Sequence, residues 1–171
     1  MNSILLLVGA SGSGKTTVAN ELCQKYGLKQ IDSYTTRPPR YHGEAGHIFV
    51  SDDEFDQLEN LVGFTNYNGA RYCATAAQVE VCDIYVIDPA GVEFFRTAYH
   101  GNKTVFVAEL LVPDGVRERR MHQRGDSDEQ IRTRLKLDAN IFPTLGADLY
   151  LTNVDVSRTV DALYKFLLQQ E

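Results

Sequence analysis

The stretch Leu5 to Thr17, LLLVGASGSGKTT, restricts what this chain can fold into more than any other. Ile4 to Val8 is a continuous apolar run, the pattern of a strand buried on both faces, and it breaks at Gly9 into a glycine-rich turn ending in Lys15-Thr16. Gly9, Gly14, Lys15 and Thr16 satisfy G-x-x-x-x-G-K-[ST], the P-loop or Walker A spacing, with Gly12 as a further glycine inside it. Glycines let the backbone turn tightly so that its N–H groups converge on phosphate oxygens, and the helix that follows presents its positive end. In such a loop Lys15 reaches the β- and γ-phosphates and the Thr16 hydroxyl ligates Mg²⁺. The residues expected to cradle a polyphosphate are Gly9, Ala10, Ser11, Gly12, Ser13, Gly14, Lys15, Thr16 and Thr17. The plain alternative is a glycine turn between a strand and a helix with no ligand.

Helical spacing of Val18, Leu22 and Tyr26 continues to Gly27, which has the position of a helix stop. Gln30 to Tyr34 reads as a short strand. The segment Ser33-Tyr-Thr-Thr-Arg37-Pro-Pro-Arg40 then sets two arginines on a stiff extended stretch that prolines keep from becoming helix. Arg37 and Arg40 are suited to a second phosphate, because a planar guanidinium can bond an oxyanion through two N–H groups; a solvated basic turn is the alternative. Ile48 to Val50 is an edge-strand candidate, Ser51 to Glu54 a capping box, and Asn68-Gly69 the turn of a hairpin.

Ile84-Tyr-Val-Ile-Asp88 is a core strand ending in an acid, which makes Asp88 a candidate for the Mg²⁺ shell or for holding the acceptor. With Pro89 behind it, Asp88 also reads as the N-cap of the next helix, and the two roles are compatible. Thr104 to Leu111 is a further apolar strand. Arginines then concentrate around a mobile-looking turn, Gly125 to Gln130, with a second capping box from Ser127 to Gln130. Arg120 and Arg124 share a helix face, which is unfavourable unless an anion lies there. A hinged, arginine-rich flap in a chain with a P-loop reads as a lid that excludes water and stabilises transferring charge, against the alternative of a solvated helical hairpin. Leu149 to Leu151 is a last strand, Ser157 is expected to cap a final helix, and Val160, Leu163, Tyr164, Leu167 and Leu168 form its apolar stripe.

The chain of 171 residues suits one domain with a sizeable core, and its net charge of −6 disfavours a general nucleic-acid or acidic-membrane binder. Cys23, Cys73 and Cys82 form no C-x-x-C, so neither a disulfide framework nor a zinc site is expected. No signal peptide precedes the first strand and no apolar run approaches a membrane span, which suggests a cytoplasmic protein.

Taken in this order, the P-loop, S-Y-T-T-R-P-P-R, Val50 to Phe55, the Gly69 to Thr75 hairpin, Val86-Ile-Asp88 and Arg120 to Gly125 resemble guanylate kinase. The resemblance runs from Leu5 to the C-terminal helix. It implies a three-layer α/β/α P-loop core with a mainly parallel five-stranded sheet (1–32, 82–116 and 137–171), a small β-rich acceptor-binding insertion (33–81) and a helical lid (117–136), all in a single domain. It implies transfer of the γ-phosphoryl group of Mg·ATP to a nucleoside monophosphate, GMP or dGMP by default, by a monomer or homodimer. By position, Ser33 matches a base-contacting serine, and Arg37, Arg40 and Tyr72 match residues that hold the monophosphate. Arg120, Arg124 and Arg134 match lid and lid-flanking arginines on donor and acceptor phosphates, Glu44 matches the family's Gly-Glu, and Asp88 the first of two aspartates.

Departures from the family pattern fall mainly on the base-reading set. Gly63 stands where a glutamate accepts from the guanine edge, Ala74 where a small hydroxyl residue is expected, and His47 where a phosphate-binding tyrosine is expected; the second aspartate is missing. Guanine's N1–H and N2–H donors want an acceptor, so the resemblance leaves open a kinase for another nucleotide or for ribose 1,5-bisphosphate. A non-catalytic guanylate-kinase-like binding module, or a P-loop ATPase with no small acceptor, is the alternative from another class. The intact Gly14-Lys15-Thr16 argues against the module, and the Arg37, Arg40 and Tyr72 set against the ATPase.

Overall fold

The computed structural model describes residues 1–39, 41–67, 69–141 and 146–170. The apolar run becomes β1 (Ser3–Gly9), buried at every position, and the glycine turn leads into α1 (Lys15–Tyr26). Gly27 ends α1 in the left-handed conformation, its N–H bonded to the Cys23 carbonyl, as its position in the sequence implied. The middle of the chain supplies β2 (Ser33–Thr35), β3 (His47–Phe49), α2 (Asp52–Asp56), β4 (Leu61–Tyr67), β5 (Ala70–Thr75) and α3 (Ala76–Val81). It then returns through β6 (Ile84–Val86), α4 (Pro89–Ala98), β7 (Thr104–Leu111), α5 (Asp114–Gln123), α6 (Asp128–Ile141), β8 (Leu149–Thr152) and α7 (Val156–Leu168).

Two sheets result. The first is parallel throughout, in the order β6-β1-β7-β8. The fifth strand expected at Gln30 to Tyr34 divides: Gln30 makes one parallel bridge to Ile84, and the chain then crosses to the other sheet as β2. Backbone bonds from Ile31 N to Ile84 O (2.8 Å) and from Ile84 N to Lys29 O (3.0 Å) hold that bridge. The second sheet, β3-β2-β5-β4, is mixed, with β3 parallel to β2 at one edge and β4-β5 an antiparallel hairpin. Asn68, expected in the hairpin turn, lies outside the described residues.

Alternation along β1 separates two apolar layers. Leu5 and Leu7 face Val18, Ala19 and Leu22 of α1 and Val160, Leu163 and Leu167 of α7. Ile4, Leu6 and Val8 face Val92 and Phe95 of α4, together with Val62 and Ala74 from the second sheet. The capping boxes at Ser51 and Ser127 both form. The α7 cap is Asp155, which accepts from Arg158 N, and not Ser157, which is the second residue of the helix. Leu168, expected in the buried stripe of α7, is exposed, whereas Tyr164 stacks on Tyr26 with ring centroids 3.7 Å apart.

Candidate active site

All strands of the first sheet run in one direction, so the loops after β1, β6 and β7 collect at one end, the place where open α/β sheets bind ligands. The loop after β1 is held from both sides. Gly14 at the head of α1 has φ +90°, and a Cβ there would lie 2.8 Å from Asn153 Nδ2. That amide donates to the Ser13 carbonyl at 2.7 Å. Ser11 N–H donates to Asp138 of α6 at 2.9 Å, and Arg117 of α5 donates to the Ser11 carbonyl at 2.8 Å while pairing with the same Asp138 carboxylate. The loop is thus tied to α5, to α6 and to the end of β8.

Lys15 turns back into the loop and donates to the carbonyls of Gly9 (2.5 Å) and Ala10 (3.3 Å). Loss of hydration, opposed by Asp138 and reinforced by the Arg117 and Arg124 charges, pushes its ammonium down to about 8. Thr16 and Thr17, in the first turn of α1, are exposed, so the Thr16 hydroxyl is open to a ligand. Ser13 is buried inside the loop with its N–H on the Ala10 carbonyl.

Arg120 in the last turn of α5 and Arg124 at its C-cap lie one turn apart, and the structure supplies the compensation. Arg120 donates to the carbonyls of Gly12, Ser13 and Asn153 (3.4, 3.3 and 3.0 Å). Arg124 pairs with Asp126 in the turn between the lid helices, and Arg134 Nε stands 3.7 Å from the same carboxylate. Asp126 therefore sits between two guanidiniums as an internal anion.

A cavity of about 1000 Å³ runs over the loop and the lid, lined by Gly12, Gly14 to Thr17, Arg120, Arg124 and Arg134, with Glu44 and His47 on the far wall. A second cavity, about 400 Å³, opens toward the small sheet past Ser33, Arg37, Gly63, Thr65, Tyr72, Tyr85 and Asp88. Lys15, Thr16, Arg124 and Arg134 line both. Arg37 of the second cavity forms a two-point ion pair with Glu44 of the first (3.0 and 2.8 Å), with Arg37 Nε buried and left without a hydrogen-bond partner. Ser33 Oγ and His47 Nδ1 are 2.8 Å apart across β2 and β3. Asp88 caps α4, accepting from Gly91 N at 2.7 Å, and also lines this cavity. Ala74 is fully buried in the core behind the sheet and is not part of the cavity wall. Arg40 lies outside the described residues.

Asp138 and Asn153 escaped the sequence reading. Their loop partners lie 127 and 140 residues away, and neither carries a local pattern that announces such a contact. No group of three or more metal-ligating acids, histidines or cysteines occurs among the described residues. A Mg²⁺ that is carried mostly by substrate phosphates and water needs none: Thr16 with Asp88 nearby suits such an ion.

Comparison with known proteins agrees with this arrangement. A family model described as guanylate kinase matches residues 1–170. A guanylate kinase of Neisseria meningitidis is 33% identical over 177 aligned residues, covering 94% of this chain and 84% of that relative. One from Nostoc sp. is 30% identical over 175, covering 94% and 86%. In fold, the crystal structure of guanylate kinase from Anaplasma phagocytophilum matches with a TM-score of 0.69 at 20% identity, covering 99% of this chain and 87% of that one. Shikimate kinase from Bacteroides thetaiotaomicron shares the fold more distantly, with a TM-score of 0.52 at 18% identity over 96% of this chain and 98% of that one. A loop tied to two arginine-bearing helices, two adjoining cavities and a family match over nearly the whole length together place this chain in the guanylate kinase family of nucleoside-monophosphate kinases.

Proposed function

We propose that the protein transfers the γ-phosphoryl group of ATP to a nucleoside monophosphate, with GMP or dGMP as the acceptor. The observation that carries this is the meeting of the two cavities at Lys15, Thr16, Arg124 and Arg134. A donor over the loop and an acceptor in the smaller cavity would bring their phosphates together at these four side chains. Phosphoryl transfer asks for positioning and charge stabilisation more than covalent chemistry. Lys15 and the loop N–H groups would hold the donor phosphates, and Arg120 with Arg124 would close on them. Arg37, Arg40 and Tyr72 would hold the acceptor phosphate, with Arg134 between the two. Mg²⁺, held by Thr16 with Asp88 nearby, would neutralise charge on the donor phosphates. Closure requires Arg124 and Arg134 to leave Asp126 for phosphate oxygens, a change of partner between like anions.

A second reading, another phosphorylated acceptor such as ribose 1,5-bisphosphate or a different nucleotide, is favoured by one observation: Gly63 brings no carboxylate to the smaller cavity. The absence of a membrane-spanning helix among the described residues and three free cysteines fit a cytoplasmic enzyme. The test is ADP production from Mg·ATP against GMP, dGMP, AMP, UMP, CMP and ribose 1,5-bisphosphate. Selective turnover of GMP or dGMP is the expected result. Selective turnover of another acceptor would replace the guanylate reading, and silence across the panel with ATP still bound would replace catalysis by a binding role.

A further inference from the structure

Position 63 cannot carry a side chain in this fold. Gly63 has φ +64°, and a Cβ built on it would lie 2.6 Å from Tyr85 Cε1, 2.8 Å from Ile87 Cδ1 and 3.1 Å from the Tyr85 hydroxyl. The space is already filled, and what fills it is the far end of Tyr85. This tyrosine stands on β6 with 2% of its surface exposed, its ring packed among Val62, Ala74 and Phe95. Its tip nevertheless forms part of the wall of the smaller cavity, beside Thr65, Asn66 and Tyr72.

Two properties separate Tyr85 from a packing residue. Its ring is buried, yet among the described residues its hydroxyl makes no hydrogen bond and its oxygen stays open at the cavity wall, where phenylalanine would offer no polar atom. Burial also raises its pKa, with smaller contributions from Cys73 and Asp88, so the phenol stays protonated and neutral. Each carboxylate at the cavity wall has one oxygen engaged, Asp88 Oδ1 by Gly91 N and Asp138 Oδ2 by Ser11 N and Arg117.

We propose that the Tyr85 hydroxyl is a specificity-determining contact to the base of the acceptor nucleotide, taking the place of a side chain that Gly63 excludes. The inference rests on the proposed nucleoside-monophosphate kinase activity and adds the means by which the acceptor ring is read. The neutral phenol donates its proton to a ring carbonyl, the group guanine presents where adenine presents an amine, and it does so without charge. A base site built this way discriminates through one hydroxyl at the cavity wall: a bound ring that presents no matching group displaces its water and leaves it unsatisfied.

The test is Tyr85→Phe in the full chain, with steady-state kinetics for GMP, AMP and ATP and calorimetric binding of GMP. The ring is kept, so the thermal midpoint is expected to stay level or rise. KM and Kd for GMP should increase about tenfold, KM for ATP should stay within twofold, and the preference for GMP over AMP should shrink by the same tenfold. Unchanged GMP binding, or equal weakening of GMP and AMP, would overturn the assignment. A wild-type protein that neither binds nor phosphorylates any nucleoside monophosphate would overturn the activity itself, a failure visible before the variant is made.

Discussion

Lys15 carries the most direct consequence at the residue scale. In the ligand-free protein its ammonium loses its proton as pH rises through about 8, because burial disfavours the charge. ATP binding needs the charged form, so the association constant for Mg·ATP should be level from pH 6.5 to 7.5 and fall above 8, with arginines unable to contribute at these values. A binding curve flat to pH 9.5 would place the phosphates away from Lys15. The same shift has a stability sign. The unfolded chain binds this proton more tightly than the folded one, so below pH 8 the charged amine opposes folding and between about 8 and 10.5 stability rises with pH. Lys15→Met should therefore abolish phosphoryl transfer while leaving the ligand-free thermal midpoint equal or higher at pH 7; a lowered midpoint would mean that the lysine's bonds to Gly9 and Ala10 outweigh its desolvation.

At the scale of elements, α5, α6 and the loop after β1 are joined through Arg117 and Asp138. Both side chains are 8% exposed, and Asp138 serves the Ser11 N–H and the Arg117 guanidinium at once. Removing one member of a buried pair leaves the other charge uncompensated, so Asp138→Ala should cost about 3 kcal/mol in urea unfolding and also loosen the loop's hold on nucleotide. A loss under about 1 kcal/mol would show that water repairs the site. The start of α7 offers a simpler test. Asp155→Ala should cost about 1 kcal/mol as a lost cap and Ser157→Ala close to nothing, in thermal or urea unfolding. The sequence reading points to Ser157, and the backbone conformation at Asp155, extended with its carboxylate on Arg158 N, makes Asp155 the cap instead.

Across the whole molecule, the two sheets are joined by a shared core. Val62 and Ala74 of the second sheet belong to the same apolar cluster as Ile4, Leu6 and Val8 of the first. Neither sheet can lose its packing alone, so thermal unfolding of the ligand-free chain should be one transition with equal calorimetric and van't Hoff enthalpies. Val62→Ala, which opens a cavity between the sheets, should lower stability by roughly 2 kcal/mol and keep the transition single. Two resolved transitions would show that the small sheet melts as its own unit.

What the sequence by itself determined is everything that nearby residues decide. The strand, loop and first helix around Gly9 to Thr17, the stop at Gly27, the caps at Ser51, Asp88 and Ser127, and the faces of α1 and α4 follow from spacings of two to four residues, where side chains meet their own backbone. Tertiary structure alone decided which charges pair and which spaces are filled. Asp138 reaches Ser11 across 127 residues, Asn153 reaches Ser13 across 140, and the chain leaves the core sheet after a single bridge at Gln30. The space beside Gly63, where the family pattern carries a glutamate, is filled by the tip of Tyr85 and by Ile87. Contacts of this kind depend on volume and desolvation at points where distant segments converge, and no periodicity within a segment records them.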